Sequence, residues 1–346
     1  MNTRILKIFA LTAFVVVCIV GIRYLRDNRL GNFKSEAEIY VYPGTTKEEV
    51  FEQIDTQTVV KHPKALRKVF VRKQVDRYLT PGYYKIGRKT SSVQLARMLN
   101  NGWQTPINLT ISGTLRLRDE IAEKISRQLM LSKEEMLSAF GNDTLLAKYG
   151  FDTTNVFALI VPDTYSCYWT ASVEDVLNMQ KKAYDAFWTE DNLQKARNLG
   201  LSKMQVSTVA SIVKGETNHE PEMPKIAGVY LNRLKKGMRL QADPTVAFCF
   251  DYSINRILLR HLTVDSPYNT YIHTGLPPGP IYVPTRACLE AVLNPDFGPG
   301  SGNIFFCASP EFDGTHRFAT NLSEHNANAR AFHNALDARN REKNNK

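Results

Sequence analysis

The stretch MQVSTVASIVKGET, residues 204–217, places Val206, Val209 and Val213 at helical spacing. The next positions on that face are Glu216 and Thr217. An acid therefore arrives where the apolar stripe should continue. A carboxyl group held among apolar side chains keeps its proton to higher pH, because burial penalises the charged form. That prepares a general acid, able to protonate a leaving oxygen near neutral pH. The competing reading is a helix-end carboxylate turned to solvent, as expected of Glu220 and Glu222. Pattern alone leaves both open.

Three further clusters hold polar groups that could meet a ligand. In MRLQADPT, Arg239, Gln241 and Asp243 alternate, which predicts a strand entering a turn with one polar side. Such a side lines a groove or faces water. SPYNTYIHTGLPPGPI sets Tyr268, Asn269 and Tyr271 just before a Pro- and Gly-rich loop of fixed shape. Aromatic faces pack on sugar C–H surfaces and amides bond hydroxyls. GTHRFATNLSEHN contributes His316, Asn321, His325 and Asn326. No H-E-x-x-H is present, so no metal ligand set is expected, and no cofactor. GPGSG, residues 298–302, precedes a strand rather than a helix, which sets aside a phosphate loop.

Elements must carry these groups. A strand, Ile39 to Tyr42, meets a Pro-Gly turn, and Thr46 with Glu49 forms a capping box for the helix that follows. YLTPGYYKI reads as turn and strand, SVQLARMLNNG as a helix stopped by Gly102. A similar strand–turn–helix pattern returns from Ile107, with a period of about 70 residues. Residues 115–150 are expected to be helical, and 172–199 to form one long amphipathic helix. A helix from Lys225 to Leu234 should bury Ile226, Val229 and Tyr230, with Gly237 ending it.

The chain has 346 residues, enough for about two domains. Its net charge of +10 favours an acidic partner: nucleic acid, anionic lipid or an anionic wall polymer. The uncharged run Ile8 to Ile22, extended by a snorkelling Lys7 and by Tyr24 and Leu25, approaches the length of a spanning helix. GIRYLRDNRLG is basic and bulky and offers no cleavage site, so an uncleaved anchor is expected. The flanks, Arg4 and Lys7 against Arg23, Arg26 and Arg29, do not decide orientation. Five cysteines without a C-x-x-C pair argue against zinc ribbons; pairing or buried free thiols both remain open.

Several of these segments, in order, resemble the MltG (YceG-like) family of endolytic murein transglycosylases: VPDTY (161–165), ASIVKGET, VYLNRLKKGMRLQADPTV, SPYNTYIHTGLPPGPI, LNP (293–295) and HRFATNLSEHN. The resemblance implies an α+β fold. It comprises an N-terminal transmembrane helix (1–30), a small LysM-like α+β module (31–105) and a larger mixed α/β catalytic domain (106–346). It implies cleavage of the β-1,4 bond between N-acetylmuramic acid and N-acetylglucosamine in nascent glycan strands. The product ends in 1,6-anhydro-N-acetylmuramic acid. Glu216 maps onto the family's catalytic acid/base, and Arg239, Gln241, Asp243, Tyr268, Asn269, His316 and Asn321 fall in motifs that would hold the sugar. The expected partners are peptidoglycan strands, the membrane and a penicillin-binding protein synthase, with no nucleic acid. The expected location is the cytoplasmic membrane, single-pass, with the catalytic part outside it, in the periplasm of Gram-negative cells.

Two departures bear on chemistry. Where many members read E-K-E-T, this chain has Lys214-Gly215-Glu216-Thr217, so the first acid is absent. Phe157-Ala158 replaces a usual Glu-Gly ahead of VPDTY. The remaining alternatives are a water-using muramidase with Asp243 as second carboxylate, and a membrane-anchored wall-binding scaffold.

Overall fold

The computed structural model describes residues 3–300 and 302–344. The chain divides into two compact units. The first holds Met1–Leu109, Gln128–Leu131 and Ser166–Ala171; the second holds Thr110–Arg127, Ser132–Tyr165 and Ser172–Lys346.

In the first unit, helix α1 (Thr3–Asn28) contains a stretch, Arg4–Asn28, whose most apolar 18-residue window has mean hydropathy 2.7 with nothing in that window buried against protein. At 1.5 Å per residue it is about 37 Å long, enough to cross a hydrocarbon core of about 30 Å. Strand β1 (Ala37–Val41) alternates buried and exposed residues, as a half-buried strand must. The Thr46 hydroxyl and the Glu49 carboxylate then cap α2 (Lys47–Gln57) reciprocally, as the capping box predicts. Helices α3 (Pro63–Arg72) and α4 (Val75–Tyr78) follow. Strand β2 (Gly82–Ile86) returns antiparallel to β1, with Ile39 opposite Tyr84. Helix α5 (Ser92–Asn101) stops at Gly102, whose φ of +64° continues no helix. Phe33, Ile39, Val50, Ile54, Phe70, Tyr84, Leu95 and Leu99 form the core of this unit.

Strands β3 (Ile107–Ile111) and β4 (Asp163–Cys167) pair as a two-stranded ribbon. The strand–turn–helix pattern of β1 and α2 thus returns at β3 and the helix that follows it, each strand pairing with one later strand.

The second unit is mostly helical. Residues 115–150 form three short helices: α6 (Arg118–Ser126), α7 (Lys133–Phe140) and α8 (Asp143–Ala147). A buried turn, α9 (Val156–Leu159), ends before Pro162. The single helix expected over 172–199 is two, α10 (Val173–Phe187) and α11 (Glu190–Asn198). Thr189 adopts extended backbone and its hydroxyl accepts from Asn192 N at 3.3 Å, starting a second helix while Phe187 and Trp188 bury their rings. Helix α12 (Lys203–Glu216) runs through the core, with Val206, Val209 and Val213 fully buried. Helix α13 (Met223–Lys235) packs beside it and stops before Gly237, φ +67°.

Residues 238–242 are not the expected strand. Gln241 has φ +48°, which breaks an extended run, and its N–H pairs with Thr270 O at 3.1 Å instead of a strand ladder. The segment delivers Asp243 as the first residue of α14 (Asp243–Phe248). After the Pro-rich loop come α15 (Arg286–Leu293), the antiparallel pair β5 (Phe305–Ala308) and β6 (His316–Ala319), and α16 (Leu322–Asn344). Among the described residues no disulfide joins any of the cysteines, and Cys288 is buried.

Candidate active site

Glu216 is the last residue of α12. The buried valines ahead of it orient that helix face inward, so the final carboxyl points into the unit instead of solvent. Glu216 itself is half-buried. Its Oε1 accepts a 2.5 Å hydrogen bond from the phenol of Tyr230 on α13. Surrounding protein strips water from the carboxyl, and this burial is the main cause of a pKa raised to about 7. The Tyr230 hydrogen bond favours the ionised form and pulls the value down; the Asp243 carboxylate pushes it up, and the Arg233 guanidinium pulls it down. Tyr230 is pushed well above the ordinary phenol range by burial and by Glu216, so it stays a donor at neutral pH.

Arg233 lies one turn beyond Tyr230 and is buried. Its Nε donates to Ile304 O at 2.7 Å and its Nη1 to Leu240 O at 2.6 Å. A fixed positive charge thus sits behind the acid and holds the 238–242 segment. A second clamp holds the other side of that segment. Thr270 Oγ1 accepts from Ala242 N at 3.0 Å and lies 2.9 Å from Thr245 Oγ1, with both threonines buried. The clamp brings Tyr271 to Asp243, whose Oδ1 accepts the phenol proton at 2.6 Å. Asp243 remains exposed at the mouth of the site.

The Pro-rich loop is structural. Ile281 N donates to Ser211 Oγ on α12 at 3.0 Å, and Ile281 O accepts from Tyr252 at 2.6 Å. Gly279 passes so close to Thr154 that an added Cβ would lie 2.3 Å from its carbonyl oxygen. These contacts hold the loop that follows Tyr268 and Tyr271 against α12. The arrangement provides one carboxyl able to give and retake a proton near pH 7. Beside it stand a fixed phenol, a buried guanidinium and an exposed carboxylate.

A family model, the YceG-like family, matches residues 39–331. The chain belongs to the YceG-like family. An endolytic murein transglycosylase of Bacillus subtilis (strain 168) is 26% identical over 309 residues, covering 85% of this chain and 84% of that protein. An endolytic murein transglycosylase of Streptococcus pneumoniae serotype 2 (strain D39) is 25% identical over 348 residues, covering 89% of this chain and 61% of its own length. The 2.6 Å crystal structure of a YceG-like protein from Listeria monocytogenes superposes with a TM-score of 0.56 at 25% identity, covering 85% of this chain and 99% of that one.

Within this YceG-like chain the expected residues separate. Arg239 and Gln241 are exposed on the clamped segment, next to Asp243. Tyr268 is half-buried, its ring centroid 4.6 Å from that of Phe248. Asn269 is a correction. Its side chain is fully buried, its Nδ2 donating to Leu262 O and Val264 O at 3.0 and 2.9 Å while its Oδ1 accepts from Tyr271 N at 3.0 Å. It braces the loop and offers no polar edge to a sugar. Asn321 caps α16 through its Oδ1, which accepts from Glu324 N at 2.9 Å. His316 engages Glu222 through its backbone N–H at 2.8 Å and through Nδ1 at 3.0 Å. Glu222, expected in solvent, is buried. The His316 ring meets Phe306 edge-on, and Phe306 meets Tyr230, which links His316 to the acid by packing.

Sequence reasoning missed Tyr230, Arg233 and Glu222 as site residues. Tyr230 falls on the buried face of its helix like any core residue, and nothing local marks its hydroxyl as the partner of Glu216. Tyr271 stood in view as a possible sugar contact, but its bond to Asp243 spans 28 residues and needs the fold.

Proposed function

We propose that this protein is an endolytic peptidoglycan lytic transglycosylase with Glu216 as its acid/base. The single carboxyl with a pKa near 7 in a YceG-like fold carries the reading. A hydrolase uses two carboxylates, one of them to activate water or attack the sugar. A lytic transglycosylase takes the muramic acid's own 6-hydroxyl as nucleophile, so one titrating group serves both steps. Protonated Glu216 gives its proton to the glycosidic oxygen between N-acetylmuramic acid and N-acetylglucosamine as that C–O bond breaks. The resulting carboxylate accepts the 6-hydroxyl proton as O6 bonds to C1, closing the 1,6-anhydro ring. The Tyr230 phenol holds the carboxyl and stabilises its ionised state. Asp243, fixed by Tyr271, together with Arg239, Gln241 and Tyr268, binds sugar hydroxyl and acetamido groups.

In this reading the first unit is a LysM-like module that holds glycan, and α1 anchors the chain in the cytoplasmic membrane with the catalytic unit outside. Cleavage of nascent strands there ends their elongation, which places a penicillin-binding protein synthase nearby as partner.

Digestion of nascent glycan strands with the purified full chain, read by mass spectrometry, tests the reaction. Internal cuts ending in anhydromuramic acid, lost in Glu216→Gln, are expected. Reducing ends would instead indicate a water-using muramidase with Asp243 as second carboxylate. Equal inertness of both proteins would indicate a wall-binding scaffold.

A further inference from the structure

The far end of α1 is tied to the first unit: Asn28 O accepts from Ser91 Oγ at 3.1 Å, and Asn32 N donates to Thr90 O at 2.9 Å. Between α1 and α3 lies a cavity of about 460 Å³. Arg23 and Arg26 line it from α1, and Lys64, Lys68 and Arg72 from α3. The three residues on α3 recur every fourth position, so they stand in one row along the helix. Asp27 is the one acid in the lining, 2.8 Å from Arg26 and 3.9 Å from Arg72. Five cations against one acid leave four positive charges uncompensated in one cavity. Such a cluster repels itself until an anion enters.

Its depth along α1 is informative. The lining starts at Val20 and ends at Asn28, eight residues further and about 12 Å along the helix. Val20 lies inside the apolar run that ends at Ile22, so the cavity starts at the edge of the hydrocarbon and continues through the headgroup layer, roughly 5–8 Å per leaflet. Val20 and Tyr24 give it an exposed apolar side, with the buried Ala65 and Val69 behind.

We propose that this cavity binds the phosphate-bearing headgroup of an anionic phospholipid. The five cations take the phosphate, and Val20 and Tyr24, exposed on α1, meet the glycerol and first methylenes. The inference rests on α1 spanning a membrane. With the catalytic unit outside, Arg23 and Arg26 sit on the side where basic flanks are ordinarily depleted. A lipid phosphate gives them a partner there. A soluble phosphate ester would satisfy the cations and leave the apolar side unused.

The test is lipid retention by the full chain, in phosphatidylcholine nanodiscs with a minor fraction of phosphatidylglycerol, read by native mass spectrometry after mild extraction. The wild type should retain phosphatidylglycerol in preference to phosphatidylcholine. K64Q/K68Q changes two exposed side chains, and should bind it about 30-fold more weakly, the effect of two near-surface charges. K235Q/K236Q, which removes the same charge from exposed positions at the end of α13, should match the wild type. No lipid preference in the wild type, or equal retention by the two variants, would overturn the proposal. Complete displacement by inorganic phosphate would also overturn it, assigning the cavity to a free anion. Failure of the wild type to enter pure phosphatidylcholine discs would refute the span itself, and the cavity proposal with it.

Discussion

A carboxyl with a pKa near 7 is divided between acid and carboxylate at neutral pH, and its neighbours decide the balance. Removing the Tyr230 hydroxyl (Tyr230→Phe) takes away a bond that favours the ionised form, so the alkaline limb of the activity profile should move to higher pH. Removing the Asp243 charge (Asp243→Asn) takes away a repulsion, so the limb should move to lower pH. Profiles of kcat/KM check both, and shifts of the same sign would sink this account of Glu216. Stability carries the opposite signature. Below the ordinary carboxylate value of 4.5 folded and unfolded chains both hold the proton, and the group contributes nothing. Between that value and about 7 the folded chain keeps a proton that the unfolded chain has lost, so stability falls as pH rises. Glu216→Gln is free of that loss and should be more stable than the wild type at pH 8 by about 3 kcal/mol, with the gap vanishing near pH 4. Denaturant unfolding at the two pH values measures it. Three valines at helical spacing put Glu216 on the apolar face but left open whether it turned inward or to solvent. Its phenol and guanidinium partners were not legible, because Tyr230 and Arg233 lie on a different helix and look like ordinary helix residues until the two helices meet.

Elements explain what local pattern could and could not foretell. Thr46 with Glu49, and Gly102 at the end of α5, act within a few residues, so their roles read directly from the chain. The polar alternation of Arg239, Gln241 and Asp243 imitates a strand, but the backbone there is held by Arg233 and Thr270 from elsewhere in the fold. Local periodicity cannot register such a tether. In 172–199 the amphipathic pattern runs through Thr189, and only the burial of Phe187 and Trp188 shows that a new helix starts there. Helix α13 makes one contact that leaves no room at all: a Cβ on Gly228 would stand 2.0 Å from the Asp296 carbonyl oxygen, a backbone atom. Gly228→Ala must push that segment away, although alanine is the better helix former. Overpacking of this kind costs about 1–3 kcal/mol, and thermal unfolding should show the loss. An unchanged or raised Tm would mean that the segment around Asp296 yields freely.

On the scale of the molecule, the apolar α1 and the order of motifs were legible because both are continuous in sequence. The extent of the first unit was not. It takes in Ser166–Ala171, far along the chain, where Trp169 packs edge-on to Tyr40 and Tyr42 at 5.2 and 4.8 Å. A boundary drawn at residue 105 leaves that tryptophan out. The net charge of +10 names no place on the molecule, yet folding brings Arg23 and Arg26 beside Lys64, Lys68 and Arg72. Lipid retention is the measurement at this scale, since it asks whether the charge acts where the proposed span ends. The glycan digest asks what the rest of the chain does once held there.

That α12 ends on Glu216 has a further consequence. The C-terminal end of a helix carries a partial negative charge, roughly half an elementary charge. A new carboxylate formed there faces the like-signed pole of its own helix. The backbone thus favours the protonated acid before bond cleavage and makes the conjugate base hungrier for the sugar's proton afterwards. The summed dipole of the helix thus keeps the acid loaded before cleavage, resists the donation itself and favours recapture of the proton, so each turnover closes with the enzyme in the protonation state in which it began.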